Sequence, residues 1–326
     1  MNILTTHDSP LSAHVVWGLL DDKAGHANQV RGLVEALGLS HRFLSLTYST
    51  LSRLPNLMLG ATLAHLSPES RAAIAAPFPN LVIACGRRTE PVARFIKQHS
   101  PETRIVYIMT PANLEGWDAI IVPEHDAPKK RGHILTTHGP LHRITPERLA
   151  EARTQWAAHF AHLPAPHVGV LVGDVSVHDA TAMLSRAQEL AGGDGSLLIT
   201  TSRRTLKGLL APLLPHLKRP YFLHDVHSTP ANAANPYLGI LACSSRLIVS
   251  GDSLSMCAEA VASGAPTHIA ELSGLPTKHR AMHAMLFAHG HALRLIDTGN
   301  ATHQHPATPT NDTLYAADAL KARFGL

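Results

Sequence analysis

Short apolar runs rich in β-branched residues alternate with stretches of helical period along the chain, the pattern of a parallel sheet with crossover helices. In the first half the pattern predicts strands at His14–Leu20, Arg42–Leu46, Leu81–Cys85, Arg104–Met109, Ala119–Val122 and His133–Leu135. Val30, Leu33, Val34 and Leu37 form one stripe of a helix from His26 to Leu37, which Gly38 ends. A polar helical stretch, Thr145–His162, starts with Pro146 behind a threonine cap and runs into Pro164-Ala165-Pro166. It is expected to connect two domains. The alternation then resumes with strands Val168–Val172, Leu197–Thr201, Tyr221–Leu223, Leu247–Ser250 and Thr267–Ala270, and a helix at Ala180–Leu190. Asn300–Asn311, rich in Thr, Pro and His, reads as a loop before a last helix, Leu314–Phe324. The expected fold is α/β, with two Rossmann-like doubly wound domains facing a cleft. The boundaries are 1–145 for the first domain, 146–166 for the connector and 167–326 for the second. The last helix is placed to pack back on the first domain.

With 326 residues, 45% hydrophobic and 16% charged, the chain carries enough apolar content for two cores, which excludes a disordered protein. The net charge of +4 has no long basic run behind it. Lys129-Lys130-Arg131 is too short for a nucleic-acid stripe, and 5% aromatics argue against base-stacking platforms, so no nucleic-acid partner is expected. The mild positive balance suits anionic small ligands or an anionic membrane surface. The N-terminus lacks the features of a signal peptide, and no window reaches the length of a membrane span. A soluble, cytoplasmic protein is expected, with membrane contact confined to the periphery. Cys85, Cys243 and Cys257 have no metal-ligand spacing and read as reduced thiols. The 24 histidines include the pairs His279/His283 and His289/His291, but no neighbouring acid or thiol completes a shell, so no metal is expected.

Ligands of doubly wound domains lie at the carboxyl ends of the strands. Strand Leu247–Ser250 ends in small polar residues, including Ser253 and Ser255, that open a helix. Free N–H groups and the positive end of the helix dipole would hold a phosphate there. Glu259 lies four residues after Ser255 on the same face, where its two oxygens can accept both hydroxyls of a ribose. Asp252 is assigned to capping or to the sugar, since its charge opposes a phosphate. On a purely structural reading the segment is a strand-to-helix junction with a serine cap. Ser202, Arg203 and Arg204 follow strand Leu197–Thr201 and read as another helix start, where cations are disfavoured unless an anion binds. Gly173, Asn235 and Tyr237 are expected to border the same cleft, although Asn235 also suits a helix cap with Pro236 at N1. In the first domain, Asp22 and His26 lie between the first strand and its helix, and His26 is the candidate general base. His125 follows a later strand and is a third catalytic candidate, while Gly86-Arg87-Arg88 is a second anion candidate. No Gly-x-Gly-x-x-Gly, Walker loop or Asp-x-Asp occurs, which leaves no signature for a dinucleotide cofactor, an NTPase or a metal-held diphosphate.

The stretches DDKAGHANQVRGLVEAL, CGRRTEPVAR, VPEHDAP, LLITTSRRT, NPYLGILA and VSGDSLSMCAEAVASGAP together resemble the Elm family. These bacterial and plant proteins are named for a plant member involved in mitochondrial fission, and bacterial members are often labelled nucleoside-diphosphate-sugar epimerases. The last stretch is also similar to GT-B glycosyltransferases such as those building lipid-linked cell-wall precursors. Family members tend to carry an Asp-Pro-Arg-like turn where this chain has Met109-Thr110-Pro111, and a Gly-Gly turn where it has Gly173-Asp174. The resemblance implies a GT-B-like glycosyltransferase. It would use a nucleotide-diphosphate sugar as substrate, with no separate cofactor, and a lipid-linked or glycan acceptor. The alternatives are a nucleotide-sugar epimerase on the same fold, or a non-catalytic adaptor acting at a membrane surface.

Overall fold

The computed structural model describes residues 14–126, 131–230, 232–297 and 311–326. The chain divides into two compact units, Met1–Arg143 with Asp312–Leu326, and Ile144–Asn311. In the first, β1 (Val15–Leu20), β2 (Ser40–Ser45), β3 (Leu81–Cys85), β4 (Arg104–Ile108), β5 (Ala119–Pro123) and β6 (Ile134–Thr137) form a parallel sheet. Its order is β2-β1-β3-β4-β5-β6. All five residues of both β3 and β5 are buried, because crossover helices cover both faces of the sheet. Helix α1 (Ala24–Leu37) covers one face through Val30, Leu33, Val34 and Leu37. Two short helices follow, α2 (Asn56–Leu59) and α3 (Pro68–Ala72). Helix α4 (Glu90–His99) then covers the opposite face with Val92, Ala93 and Ile96.

The second unit opens with α5 (Pro146–Phe160), followed by β7 (His167–Val172), α6 (Val177–Ala191), β8 (Ser196–Thr201), β9 (Tyr221–His224) and α7 (Tyr237–Cys243). Then come β10 (Arg246–Ser250), α8 (Leu254–Ala262), β11 (Thr267–Ala270), α9 (Thr277–Ala288) and β12 (Leu293–Arg294). The parallel sheet runs β12-β11-β10-β7-β8-β9. Helix α6 packs on one face and α8 on the other.

The stretch expected to connect two domains is instead part of the second unit's core. Leu149, Ala152, Trp156 and Phe160 recur at helical spacing on α5 and are all buried. Trp156 presses so closely on α7 that a Cβ at Gly239 would stand 2.3 Å from the indole. Helix α10 (Asp312–Phe324) belongs to the first unit, where Ala316, Ala317 and Leu320 pack beside α1. Asp312 holds its start by accepting from the backbone of His138 at 3.1 Å and Gly139 at 2.8 Å. The Asn300–Asn311 loop lies outside the described residues apart from Asn311, as do Lys129 and Lys130. A second correction concerns Ser202–Thr205, expected to open a helix. Consecutive turns follow β8 because Gly208 adopts φ +78° and prolines stand at 212 and 215.

Candidate functional site

Each unit holds a polar cluster where its sheet's winding reverses. In the first unit, β2 lies on one side of β1 and β3 to β6 on the other, with α1 and α4 on opposite faces. The two crossovers diverge there and leave a crevice outside the carboxyl ends of β1 and β3. The second unit reverses between β7 and β10, with α6 and α8 on opposite faces.

At the first reversal His26 stands in the opening turn of α1, and its Nδ1 donates to Asp21 Oδ2 at 2.8 Å. Arg88 Nη2 donates to Asp21 Oδ1 at 2.7 Å and also bonds Asp22, and its guanidinium lies 4.2 Å from the ring centroid of Tyr48. Burial alone would raise the pKa of Asp21. The hydrogen bonds from His26 and the Asp22 backbone, with the Arg88 charge, outweigh it and hold the carboxyl at about 2. Asp21 is therefore ionised at neutral pH and accepts from Nδ1–H of His26, an arrangement that in the neutral imidazole makes Nε2 the acceptor. Asp22 is exposed, lines the same crevice as His26 and bonds Arg88. His125 does not join them. It lies in the turn Glu124–Asp126 just after β5, three strand spacings or about 14 Å from β1, with its side chain buried. The Arg87-Arg88 pair is also spoken for: Arg88 by the two carboxylates, Arg87 by the carbonyls of Ser52 and Leu54.

At the second reversal Gly173 N donates to Ser250 Oγ at 2.8 Å, and Asp174 N donates to Asp252 Oδ2 at 3.0 Å. A Cβ at Gly173 would lie 2.1 Å from Asp252 Oδ1, so glycine is what lets Asp252 tuck over the end of β7. Asp252 Oδ2 also pairs with Arg204 Nη2 at 2.8 Å, and its carbonyl meets His279 Nε2 at 3.1 Å. Ser253 caps α8 by accepting from Met256 N, and Ser255 occupies the first turn. Ser202 turns inward to accept from Arg204 N at 3.2 Å, while Arg203 is exposed. Asn235 Oδ1 accepts from Tyr237 N at 2.9 Å, so it caps the start of α7. Tyr237 donates its hydroxyl to Glu259 Oε2 at 2.5 Å. Burial pushes the carboxyl of Glu259 up to about 6, against the opposing Tyr237 hydrogen bond and the Arg148 charge. Burial and the charge of Glu259 raise Tyr237 well above the ordinary phenol range. Among the described residues no three His, Cys, Asp or Glu stand together as a metal site, and no helix is long and apolar enough to cross a membrane.

The family model for mitochondrial fission ELM1 matches residues 24–324. The chain belongs to the ELM1 family. An uncharacterised Rickettsia prowazekii protein is 28% identical over 295 residues, covering 78% of this chain and 82% of its own length. The ELM1 protein of Arabidopsis thaliana is 26% identical over 274 residues, covering 74% of this chain and 63% of that longer protein. The UDP-GlcNAc 2-epimerase of Neisseria meningitidis, solved with UDP-GlcNAc bound, aligns over 95% of this chain and 92% of its own. Its TM-score of 0.54 at 11% identity shows a shared fold. The two doubly wound units are of the GT-B fold type, which this epimerase shares.

For this ELM1-family chain, tertiary structure supplies partners that spacing along the sequence did not single out: Asp21 for His26, Tyr48 for Arg88, His279 for Asp252 and Arg148 for Glu259. Only Asp21 had a signal, since an acid at a strand's end five residues before a helix-start histidine reaches its ring. Gly86 is equally specific. It sits at φ +93°, and a Cβ there would lie 2.4 Å from His26 Nδ1 and 2.8 Å from Asp21 Oδ2. Gly86→Ala is expected to destabilise the first unit by about 1–3 kcal/mol, read by urea unfolding, from the strained backbone and the displaced imidazole. An unchanged urea midpoint would show that the crevice relaxes around the added methyl.

Proposed function

We propose that this chain is a sugar transferase that binds a nucleoside-diphosphate sugar in its second unit and passes the sugar to a lipid-linked or glycan acceptor. The junction of β10 with α8 carries the reading. The N–H groups of Leu254 and Ser255 have no intrahelical partner, and the helix dipole favours an anion there. Glu259 lies one turn further along, where its Oε2 accepts from Tyr237 and a carboxylate suits ribose hydroxyls. Arg203 and Arg204 add positive charge for the diphosphate. The UDP-GlcNAc held by the Neisseria epimerase of the same fold supports this class of ligand.

In the transfer itself, Nε2 of His26 takes the proton of the acceptor hydroxyl, whose oxygen bonds to the anomeric carbon. The bond from that carbon to the diphosphate breaks, and the nucleoside diphosphate leaves with the electron pair. Asp21 holds the imidazole in the accepting tautomer and stabilises the imidazolium that forms. The dipole of α8 and the two arginines offset the charge on the leaving group.

Thermal-shift measurements with UDP, GDP, ADP, dTDP and CMP test the reading. One nucleotide is expected to stabilise the protein by about 2.7 kcal/mol at a hundred times its Kd. If none shifts the transition, the second unit holds no nucleotide and the proposal falls. Affinity is also expected to depend on pH. Ribose hydroxyls donate to the ionised carboxylate, so binding should tighten as pH rises through about 6, where Glu259 loses its proton. Glu259→Gln cannot ionise and should flatten that profile in calorimetric titrations.

A further inference from the structure

We propose that residues 51–58 dock the first unit onto an anionic phospholipid surface, a contact that goes beyond nucleotide binding and is independent of it. Leu51, Leu54, Leu57 and Met58 are 45%, 36%, 96% and 72% exposed, and α2 contributes no buried residue at all. Single exposed apolar side chains are ordinary, but four within eight residues form a crest.

The crest is held outward by design of the backbone around it. Arg87 donates to the carbonyls of Ser52 at 2.6 Å and Leu54 at 2.7 Å. Asn56 Nδ2 donates to the Arg87 carbonyl at 2.8 Å and to Glu90 Oε2 at 2.7 Å. The Ser52 and Leu54 carbonyls and the Asn56 amide are thus tied inward, while the four apolar side chains and Arg53 face outward.

Charge selects the partner. From residue 36 to residue 68 the sequence contains no Asp or Glu, and between Glu35 and Glu90 its one acid is Glu69, against Arg42, Arg53, Arg71, Arg87 and Arg88. The adjoining cavity of about 600 Å³ is lined by Arg87 and Arg88, which face the Ser52 and Leu54 carbonyls and the Asp21 and Asp22 carboxylates, and by Lys23 and Arg53, which supply the charge for a headgroup. Basic side chains beside an apolar tip suit a bilayer with anionic headgroups, where the tip enters the interface and the cations stay at the phosphates.

Cosedimentation of the full chain with vesicles tests this. The chain is expected to sediment with phosphatidylcholine vesicles containing phosphatidylserine, and less with phosphatidylcholine alone or in high salt. Leu57→Asn with Met58→Asn is expected to weaken vesicle binding about tenfold or more, and Arg53→Ala roughly fivefold. The urea midpoint and the nucleotide-induced thermal shift of the double variant should match those of the unaltered chain, which excludes misfolding. Glu259→Gln should bind vesicles normally, so failure of the nucleotide reading is told apart from failure of this one. The proposal is overturned if the unaltered chain ignores anionic vesicles, or if the double variant sediments equally well. It is also overturned if light scattering shows a dimer that the double variant abolishes with no vesicle binding in either, since the crest would then cover a second copy.

Discussion

His26→Ala is expected to slow sugar transfer by about 10²–10⁴-fold while nucleotide affinity stays nearly unchanged. In the proposed mechanism, removing the imidazole takes away the acceptor for the hydroxyl proton but nothing at the β10–α8 junction of the other unit. His26→Asn keeps a hydrogen-bonding group of similar reach and cannot take the proton, so it should be nearly as slow. An asparagine variant with normal turnover would reduce His26 to a helix-start hydrogen bond. Asp21→Asn probes the same device from behind. A carboxamide can donate to Nδ1 and turn the ring to the tautomer whose Nε2 carries the hydrogen, so kcat should fall with little change in KM. Acid sensitivity provides a readout that needs no substrate. The Asp21 carboxyl lies at about 2, below its ordinary value, so its stabilising contribution is complete above that ordinary value and fades as pH falls toward 2. Asp21→Asn should remove that part of the acid-unfolding profile.

Arg203→Ala with Arg204→Ala is expected to cost about 2–4 kcal/mol of nucleotide affinity in calorimetric titrations, the sum of two charge-assisted hydrogen bonds. The two arginines should not contribute equally. Arg203 is exposed, so its loss subtracts one flexible contact. Arg204 is oriented by Asp252, and a planar guanidinium with one edge on a carboxylate keeps further N–H groups for a diphosphate. Arg204→Ala also leaves the buried Asp252 carboxylate without its cation beside the bound anion, so it should cost more than Arg203→Ala. Arg204→Ala with Asp252→Asn should recover part of that loss, because the repulsion is removed. Undiminished affinity in the double alanine variant would take both arginines out of the site.

Local signals carried much of this protein's organisation. The buried runs of β3, β5, β7 and β10 are too apolar for any place but a covered parallel sheet, so their order along the chain already implies two doubly wound units. Small polar residues after β10 and the Asp-rich turn after β1 pointed to the strand ends that the sheet reversals select. Period and turn chemistry act over a few residues, and there the reading is at its strongest. They failed where distant packing decides. The polarity of α5 suggested a connector, yet its narrow stripe of Leu149, Ala152, Trp156 and Phe160 suffices because Gly239 opens a seat for the indole. Ser202-Arg203-Arg204 suggested a helix start, but Gly208 and two prolines downstream turn the chain instead.

The sequence by itself determined β1 to β11, the helices α1, α5, α6 and α10, the serine-capped start of α8 and the placing of His26 and Glu259 in helices that follow strands. Only the tertiary structure decided that Asp21 rather than Asp22 holds His26, that His125 stands three strands away, and that Asp252 claims Arg204. Each is a matter of sheet order and of which side chain points into a crevice. Residues adjacent in the chain can face opposite ways, and residues 67 apart, such as Asp21 and Arg88, meet because β1 and β3 are neighbours.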